Sequence, residues 1–287
     1  MSERRACEVL GQPRSTQRYA PEEDEEEQRL VKQMLALVRE HPRFGYRRIT
    51  ALLQQDGWNI NRKRVYRLWI QEGLKVPKKQ RKKRAVGNRE GACQQRQALH
   101  KDHVWTWDFI FDRTANGRSI KILSIVDEFT RECLALEVSR AFKSADVIDV
   151  LADLFVIRGV PKCIRSDNGP EFVAKAIRGW LQSARVEALY ITPGSPWENG
   201  FVESFHSRLR DECLTMEVFE DVKHAQALIA SWRRDYNHRR PHSSLGYQTP
   251  AAFAAGCLAS ASATPALQPD SRRAEEQALS IPQTVLS

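Results

Sequence analysis

Apolar residues recur along the chain with two different periods, and the change of period divides it. From Leu30 the apolar positions Leu30, Met34, Leu37 and Val38 fall on one helical face. An acidic run, Glu22 to Glu27, opens this helix, where carboxylates meet the positive N-terminal end. His41-Pro42 ends it. Gly45 to Ile49 follows, then Leu52 and Leu53, and a break at Asp56-Gly57. A second helix is predicted from about Asn61 to Glu72, stopping at Gly73. It turns Val65, Leu68 and Trp69 inward and Arg62, Lys63, Arg64 and Arg67 outward. Two short helices joined by a Gly-containing turn, the second one basic, form the pattern of a helix-turn-helix. A helical hairpin with a solvated charged face has the same pattern.

Beyond His100 the period shortens. Val104–Phe111, Ser119–Val126 and Cys133–Val138 read as three consecutive strands, with Asn116-Gly117 turning the first hairpin. A helix carrying Ala145, Val147, Ile148, Leu151 and Leu154 comes next. A short strand over Cys163–Arg165, a helix over Phe172–Ala184, a strand over Val186–Ile191 and a helix over Phe201–Cys213 complete the series. A three-stranded meander followed by alternating helices and strands predicts an α/β domain, a mixed sheet flanked by helices. Residues 1–20 are polar and lack apolar periodicity. The stretch from Cys257, rich in Ala, Ser, Pro and Gln, predicts a disordered tail.

Composition sharpens this picture. Hydrophobic residues make up 41% of the 287, enough for a core, and the formal net charge is +9. That excess suits a polyanionic partner such as nucleic acid, although a merely basic soluble protein has it too. From Lys75 to Arg89 there are eight basic residues and no acidic one: Lys75, Lys78, Lys79, Arg81, Lys82, Lys83, Arg84 and Arg89. Such a block cannot pack into a core, so it reads as a linker able to track a phosphate backbone. No stretch nears the roughly 18 apolar residues of a membrane span, and no signal peptide is evident. The six cysteines are scattered without a CxxC pair and fit reduced cytosolic thiols rather than a zinc site.

Three acids stand out among 36. Asp108 lies inside an apolar strand between Trp107 and Phe109, a costly place for a carboxylate unless a cation binds it. Asp167 directly follows the Cys163–Arg165 strand, at the end where open sheets place active sites. Glu203 falls within the helix after Pro196-Trp197-Glu198-Asn199-Gly200. Hard oxygen donors from three separate elements suit Mg²⁺ or Mn²⁺. Glu198 competes for the third position but precedes a turn-prone Asn-Gly pair. Asp127 and Glu128 read as a turn. Asn168 and Glu171 would shape the loop beside Asp167 or cap a helix. Arg210, seven residues after Glu203, shares its helix face and is a candidate for the DNA backbone.

The segments Trp105-Thr106-Trp107-Asp108, Ser166-Asp167-Asn168-Gly169-Pro170-Glu171-Phe172 and Glu198-Asn199-Gly200-Phe201-Val202-Glu203-Ser204-Phe205 resemble the three blocks of the retroviral-integrase superfamily. The run Tyr236-Asn237-His238-Arg239-Arg240-Pro241-His242-Ser243-Ser244-Leu245-Gly246 through Thr249-Pro250 is similar to the end of the integrase core in bacterial insertion-sequence transposases. His41 to Ile49, with Arg64-Val65-Tyr66-Arg67-Leu68, resembles the helix-turn-helix those transposases carry upstream. The likeness spans roughly residues 20–256 and is strongest to second-reading-frame products of two-frame elements.

This resemblance implies a ribonuclease-H-like core behind a small all-α domain. The expected organisation is an extension over 1–20, a helix-turn-helix DNA-binding domain over 21–76, a basic linker over 77–99, an integrase core over 100–256 and a tail over 257–287. It also implies a DDE triad of Asp108, Asp167 and Glu203 holding two metal ions, Mg²⁺ or Mn²⁺, for cleavage and strand transfer of double-stranded DNA, both element ends and target. A homo-oligomer on DNA in the bacterial cytoplasm is implied as well. Such transposases usually carry a first-frame DNA-binding domain, and Ser2 to Tyr19 reads as the end of a longer segment. The chain is therefore expected to act as part of a frameshifted fusion. A DNA-binding regulator without catalysis, or a nuclease of the same fold, is the alternative.

Overall fold

In a computed structural model, residues 2–18, 24–76, 97–167, 169, 174–191 and 200–262 are described. Two short helices, α1 (Glu3–Val9) and α2 (Arg14–Gln17), occupy the stretch read from sequence as a featureless extension. Arg18 folds back on Glu3 with a two-pronged pair at 2.7 and 2.8 Å. In these helices only Cys7 is buried, so there was no apolar period to read.

Three helices then enclose a small core of their own. In α3 (Glu25–Glu40) the Asp24 carboxylate accepts the Glu26 N–H at 2.9 Å and caps the first turn. Leu30, Met34 and Leu37 form its buried stripe. Pro42 disfavours helical backbone at His41, and the helix stops there (φ −125°, ψ 70°). Helix α4 (Tyr46–Gln55) buries Ile49, Leu52 and Leu53. Helix α5 (Arg62–Gln71), capped by Asn61 through the Arg64 N–H at 2.8 Å, buries Val65, Leu68 and Trp69. Gly57 (φ +94°) and Gly73 (φ +63°) take the left-handed turns that end α4 and α5. The two helices read from sequence are thus α3 and α5, and α4, read only as apolar positions before the break at Asp56-Gly57, completes their core.

The second half is built on a five-stranded sheet. Strands β1 (Val104–Arg113), β2 (Ser119–Asp127) and β3 (Cys133–Ser139) form an antiparallel meander. Strands β4 (Cys163–Ser166) and β5 (Glu187–Tyr190) add on in parallel beside β1, giving the order β3-β2-β1-β4-β5. Helix α6 (Ser144–Arg158) connects β3 to β4, and α7 (Lys175–Ser183) precedes β5.

The pleat sorts β1 into two faces. Trp105 and Trp107 point with Leu123 and Ile125 towards α6 and α7, where Val147, Leu151, Ile177 and Leu181 meet them. Asp108 and Ile110 lie on the opposite side. There Ile120, Ile122 and Val138 pack against Phe205 and Leu209 of α8 (Gly200–Leu209) and Ile229 and Tyr236 of α9 (Val222–His238). This three-layer arrangement is the ribonuclease-H-like core, a mixed sheet flanked by helices, that the sequence led us to expect.

Two details differ from expectation. The helix read over Phe201–Cys213 is α-helical only to Leu209. Arg210–Leu214 then widens into a π turn, a form often found at functional sites. The disordered tail expected from Cys257 is corrected at its start. Helix α10 (Pro250–Ser262) continues through Cys257. Proline in the first turn and a run of alanines favour helix there, which composition alone did not convey. Residues 263–287 and 77–96 lie outside the described set.

The helical half and the sheet half meet through charged groups. Arg48 of α4 and Arg240 both grip Glu212 in the π turn, at 3.1 Å and at 2.6–2.7 Å. Arg239 reaches Glu40 at 2.7 Å. The Tyr236-Asn237 pair holds α9 to β3, with Asn237 taking the Cys133 N–H and donating to its carbonyl, each at 2.9 Å.

Candidate active site

The three acids singled out from sequence come from three elements: β1, the segment after β4, and α8. Asp108 sits in mid-β1 opposite Ser124 of β2, on the face covered by α8. Asp167 follows β4, which runs parallel to β1, and its Oδ1 accepts the Gly169 N–H at 3.0 Å. Glu203 lies in the first turn of α8 and is exposed.

The charges of Asp167 and Glu203 both act on Asp108. Burial pushes the Asp108 carboxyl up to about 7, against the Phe109 N–H that donates to it at 2.7 Å. The negative charges of Asp167 and Glu203 raise it further. An acid in an apolar strand flanked by two like charges is what a cation would relieve. Among the described residues no three His, Cys, Asp or Glu side chains are gathered closely enough to hold an ion as they stand. What the carboxylates share in this form is a field.

One residue of the site was missed in the sequence. His206 follows Glu203 by three positions and so shares its helix face. Its Nε2 lies 2.7 Å from Ser124 Oγ, which in turn donates to the Asp108 carbonyl at 3.0 Å. Its Nδ1 stands 3.7 Å from Asp108 Oδ2. Burial, with Arg210 nearby, brings the imidazole down to about 4, so it is neutral near pH 7. Through this chain α8 is fastened to β1 and β2 beside the first acid. The three-residue spacing was the available signal.

The rival acids have other work. Asp127 Oδ1 accepts the Phe129 N–H at 2.8 Å and its Oδ2 the Asp102 N–H at 2.8 Å, which holds the β2–β3 turn together. Glu128 is buried against Arg165 at 2.8 Å. Glu198, Asn168 and Glu171 lie outside the described residues.

The proposed DNA contacts divide. Arg62 and Lys63 are exposed on α5. Arg64 is drawn back onto α3, 3.3 Å from Asp24 and 3.2 Å from Glu26, and Arg67 lies 2.6 Å from Glu27. Arg210 is exposed at the start of the π turn. Lys78, Lys79, Arg81, Lys82, Lys83 and Arg84 fall outside the described residues.

Comparison with known proteins is consistent across the chain. Models of the integrase core domain match residues 98–196 and 184–250, and a model of an HTH-like domain matches residues 25–84. An uncharacterized 39.2 kDa protein of insertion element IS476 from Xanthomonas euvesicatoria is 41% identical over 255 residues, 89% of this chain and 73% of that protein. An uncharacterized 31.7 kDa protein of insertion element IS407 from Burkholderia multivorans is 39% identical over 272 residues, 93% of this chain and 96% of that protein. The transposase InsD of insertion element IS2D from Escherichia coli is 30% identical over 229 residues, 75% of this chain and 74% of that protein.

Proposed function

The chain belongs to the integrase-core family of insertion-element proteins, and from that premise we propose that it is a DDE transposase, cleaving DNA and joining strands with metals held by Asp108, Asp167 and Glu203. The observation that supports this reading is that burial, joined by the charges of Asp167 and Glu203, raises the mid-strand Asp108 carboxyl to about 7, a state a bound cation would relieve. Three hard oxygen donors fit Mg²⁺ or Mn²⁺, and two ions are expected. Bound there, the metals would activate water or a DNA 3′-hydroxyl and stabilise the leaving 3′-oxygen of an in-line displacement at phosphorus.

The chain's own residues supply position. Mid-strand Asp108 is fixed by the sheet, and the Phe109 N–H favours its anionic form. Asp167 is held at its strand end by the Gly169 N–H. Glu203 rides on α8, whose distance from β1 is set by His206 and Ser124. His206→Ala is expected to reduce strand transfer by about 10- to 100-fold, the usual cost of losing a supporting contact behind a metal ligand. It should leave the far-UV circular dichroism unchanged. Strand-transfer rates within twofold of the unmodified protein would rule that support out.

We assign duplex DNA to the helical half over residues 21–76 and to the basic linker over 77–99, and catalysis to residues 100–256. A homo-oligomer on DNA, fusion to an upstream-frame protein and a site of action on bacterial cytoplasmic, nucleoid DNA complete the proposal. No helix among the described residues is long and apolar enough to cross a membrane. The test is a strand-transfer assay with the full chain, and with an upstream-frame fusion if the flanking DNA encodes one. The substrates are duplexes bearing the element's ends. Joined products are expected with Mg²⁺ or Mn²⁺ and none after chelation. Products that persist in chelator, or no products with either protein, would overturn the reading.

A further inference from the structure

A cavity of about 460 Å³ opens beside α8, around the corner of the helix from Glu203. Its walls come from α4, the β2–β3 turn, both α8 and α9, and the segment after α9. Four guanidinium groups line it, those of Arg48, Arg131, Arg208 and Arg240, and none of its described lining residues is acidic.

The charges are balanced only in part from behind: Glu212 acts on Arg240, Arg48 and Arg208, and Glu128 and Asp127 act on Arg131. Glu212 serves both Arg240 and Arg48, so one carboxylate answers two cations. Arg208 makes no ion pair with any described acid. Arg131 has a buried Nη1 with no hydrogen-bond partner among the described residues. Its guanidinium lies 4.0 Å above the Phe201 ring, and its backbone is held at φ +64°, where side chains other than glycine are strained. His242 registers the same field. Burial, then Arg240, Arg48, Arg208 and Arg131, bring its imidazole down to about 2.

A buried, unpaired guanidinium N–H is costly and is relieved by an acceptor. Phosphate oxygens match the guanidinium fork in shape and charge. One wall belongs to the helical half, and another is Ser204, the residue next to Glu203. DNA running from the helical half to the three acids would pass this cavity.

We propose that the cavity seats a backbone phosphate of the DNA being processed, with Arg131 and Arg208 as its grips. This rests on the reading of the protein as a DNA-processing enzyme. None of the three acids lines it, and it gives Arg240 and His242 of the 236–246 run a role in holding the substrate strand.

The test uses the full chain and a short DNA duplex, with affinity measured by fluorescence anisotropy across a potassium chloride series. Arg208→Gln should weaken binding severalfold at moderate salt and lower the slope of log affinity against log salt by about 0.9, the share of one phosphate contact. Arg208→Lys should restore the slope. Without DNA, the melting temperature of Arg208→Gln should change little, because Arg208 makes no ion pair with any described acid and only the charge of Glu212 reaches it from behind. An unchanged slope in Arg208→Gln would overturn the inference, as would a sharp fall in its melting temperature. If inorganic phosphate raises the melting temperature of the unmodified protein while the slope is unaffected in Arg208→Gln, the cavity takes a free anion and the inference fails. If the unmodified protein binds no duplex at low salt, the functional reading falls and this inference with it. Binding with an unaltered slope sinks the inference alone.

Discussion

Glu203→Gln should abolish strand cleavage and joining while leaving DNA binding nearly intact. Glutamine keeps the side chain's size and its place on α8, so the packing of Val202 and Phe205 is undisturbed. It removes the negative charge that a hard cation needs and the field that Glu203 exerts on Asp108. Metal activation of this kind contributes several kcal/mol at the transition state. A loss of ~4 kcal/mol corresponds to about a 10³-fold drop in rate. Single-turnover strand transfer with pre-bound duplex isolates the chemical step. Glu198→Gln, in the segment just before α8, should retain appreciable activity. Joining by Glu203→Gln at near the normal rate would show that the third acid has been misassigned.

Glu212→Gln should be strongly destabilising. The carboxylate is 6% exposed and takes two hydrogen bonds from Arg240 and one from Arg48. Burial opposes its charge, but the Arg240 hydrogen bonds and the charges of Arg240, Arg48 and Arg208 outweigh burial and hold its pKa below the ordinary value. Removing one partner of a buried pair strands the other. Arg240, itself 3% exposed, would keep its charge without an answering one. The expected cost is about 3–5 kcal/mol, or a melting temperature lower by on the order of 10 °C. Because the folded pKa is depressed, this stabilisation is full above the ordinary glutamate value near 4.5 and fades as pH falls through the folded one. Glu212→Gln should therefore lose part of the acid-limb dependence of stability. A melting temperature within a degree or two of the unmodified protein at pH 7 would contradict the assignment.

The legible parts of this chain were those with a period or a punctuation mark. The apolar and aromatic run Val104–Phe111 and the Asn116-Gly117 turn gave β1 and its hairpin. Gly57, Gly73 and Asn61 bounded α4 and α5. Asp108 was conspicuous because an acid in an apolar strand costs free energy. The basic faces were less legible. Arg64 lies on the outward face of α5, yet the acids that hold it lie 38 and 40 residues away at the start of α3 and its cap. The Glu212 pairs and the cavity they back are long-range for the same reason. Arg48 and Glu212 are 164 positions apart, and no local pattern announces such a meeting. Helices α1 and α2 were invisible because one buried cysteine makes no stripe.

The π turn at Arg210–Leu214 has a consequence for how this segment can change. A regular α-helix advances about 100° per residue, so the bearing of each side chain follows from a count of positions. The turn breaks that count between two obligations, His206 against β1 and β2 upstream and Glu212 facing two arginines downstream. Deleting one residue here would let the coil rewind into ordinary α register. A deletion between Glu203 and the turn has no such slack and would rotate Glu212 by about 100° relative to Glu203, away from both guanidinium groups, with the turn itself intact. The segment is guarded by its length more than by its letters.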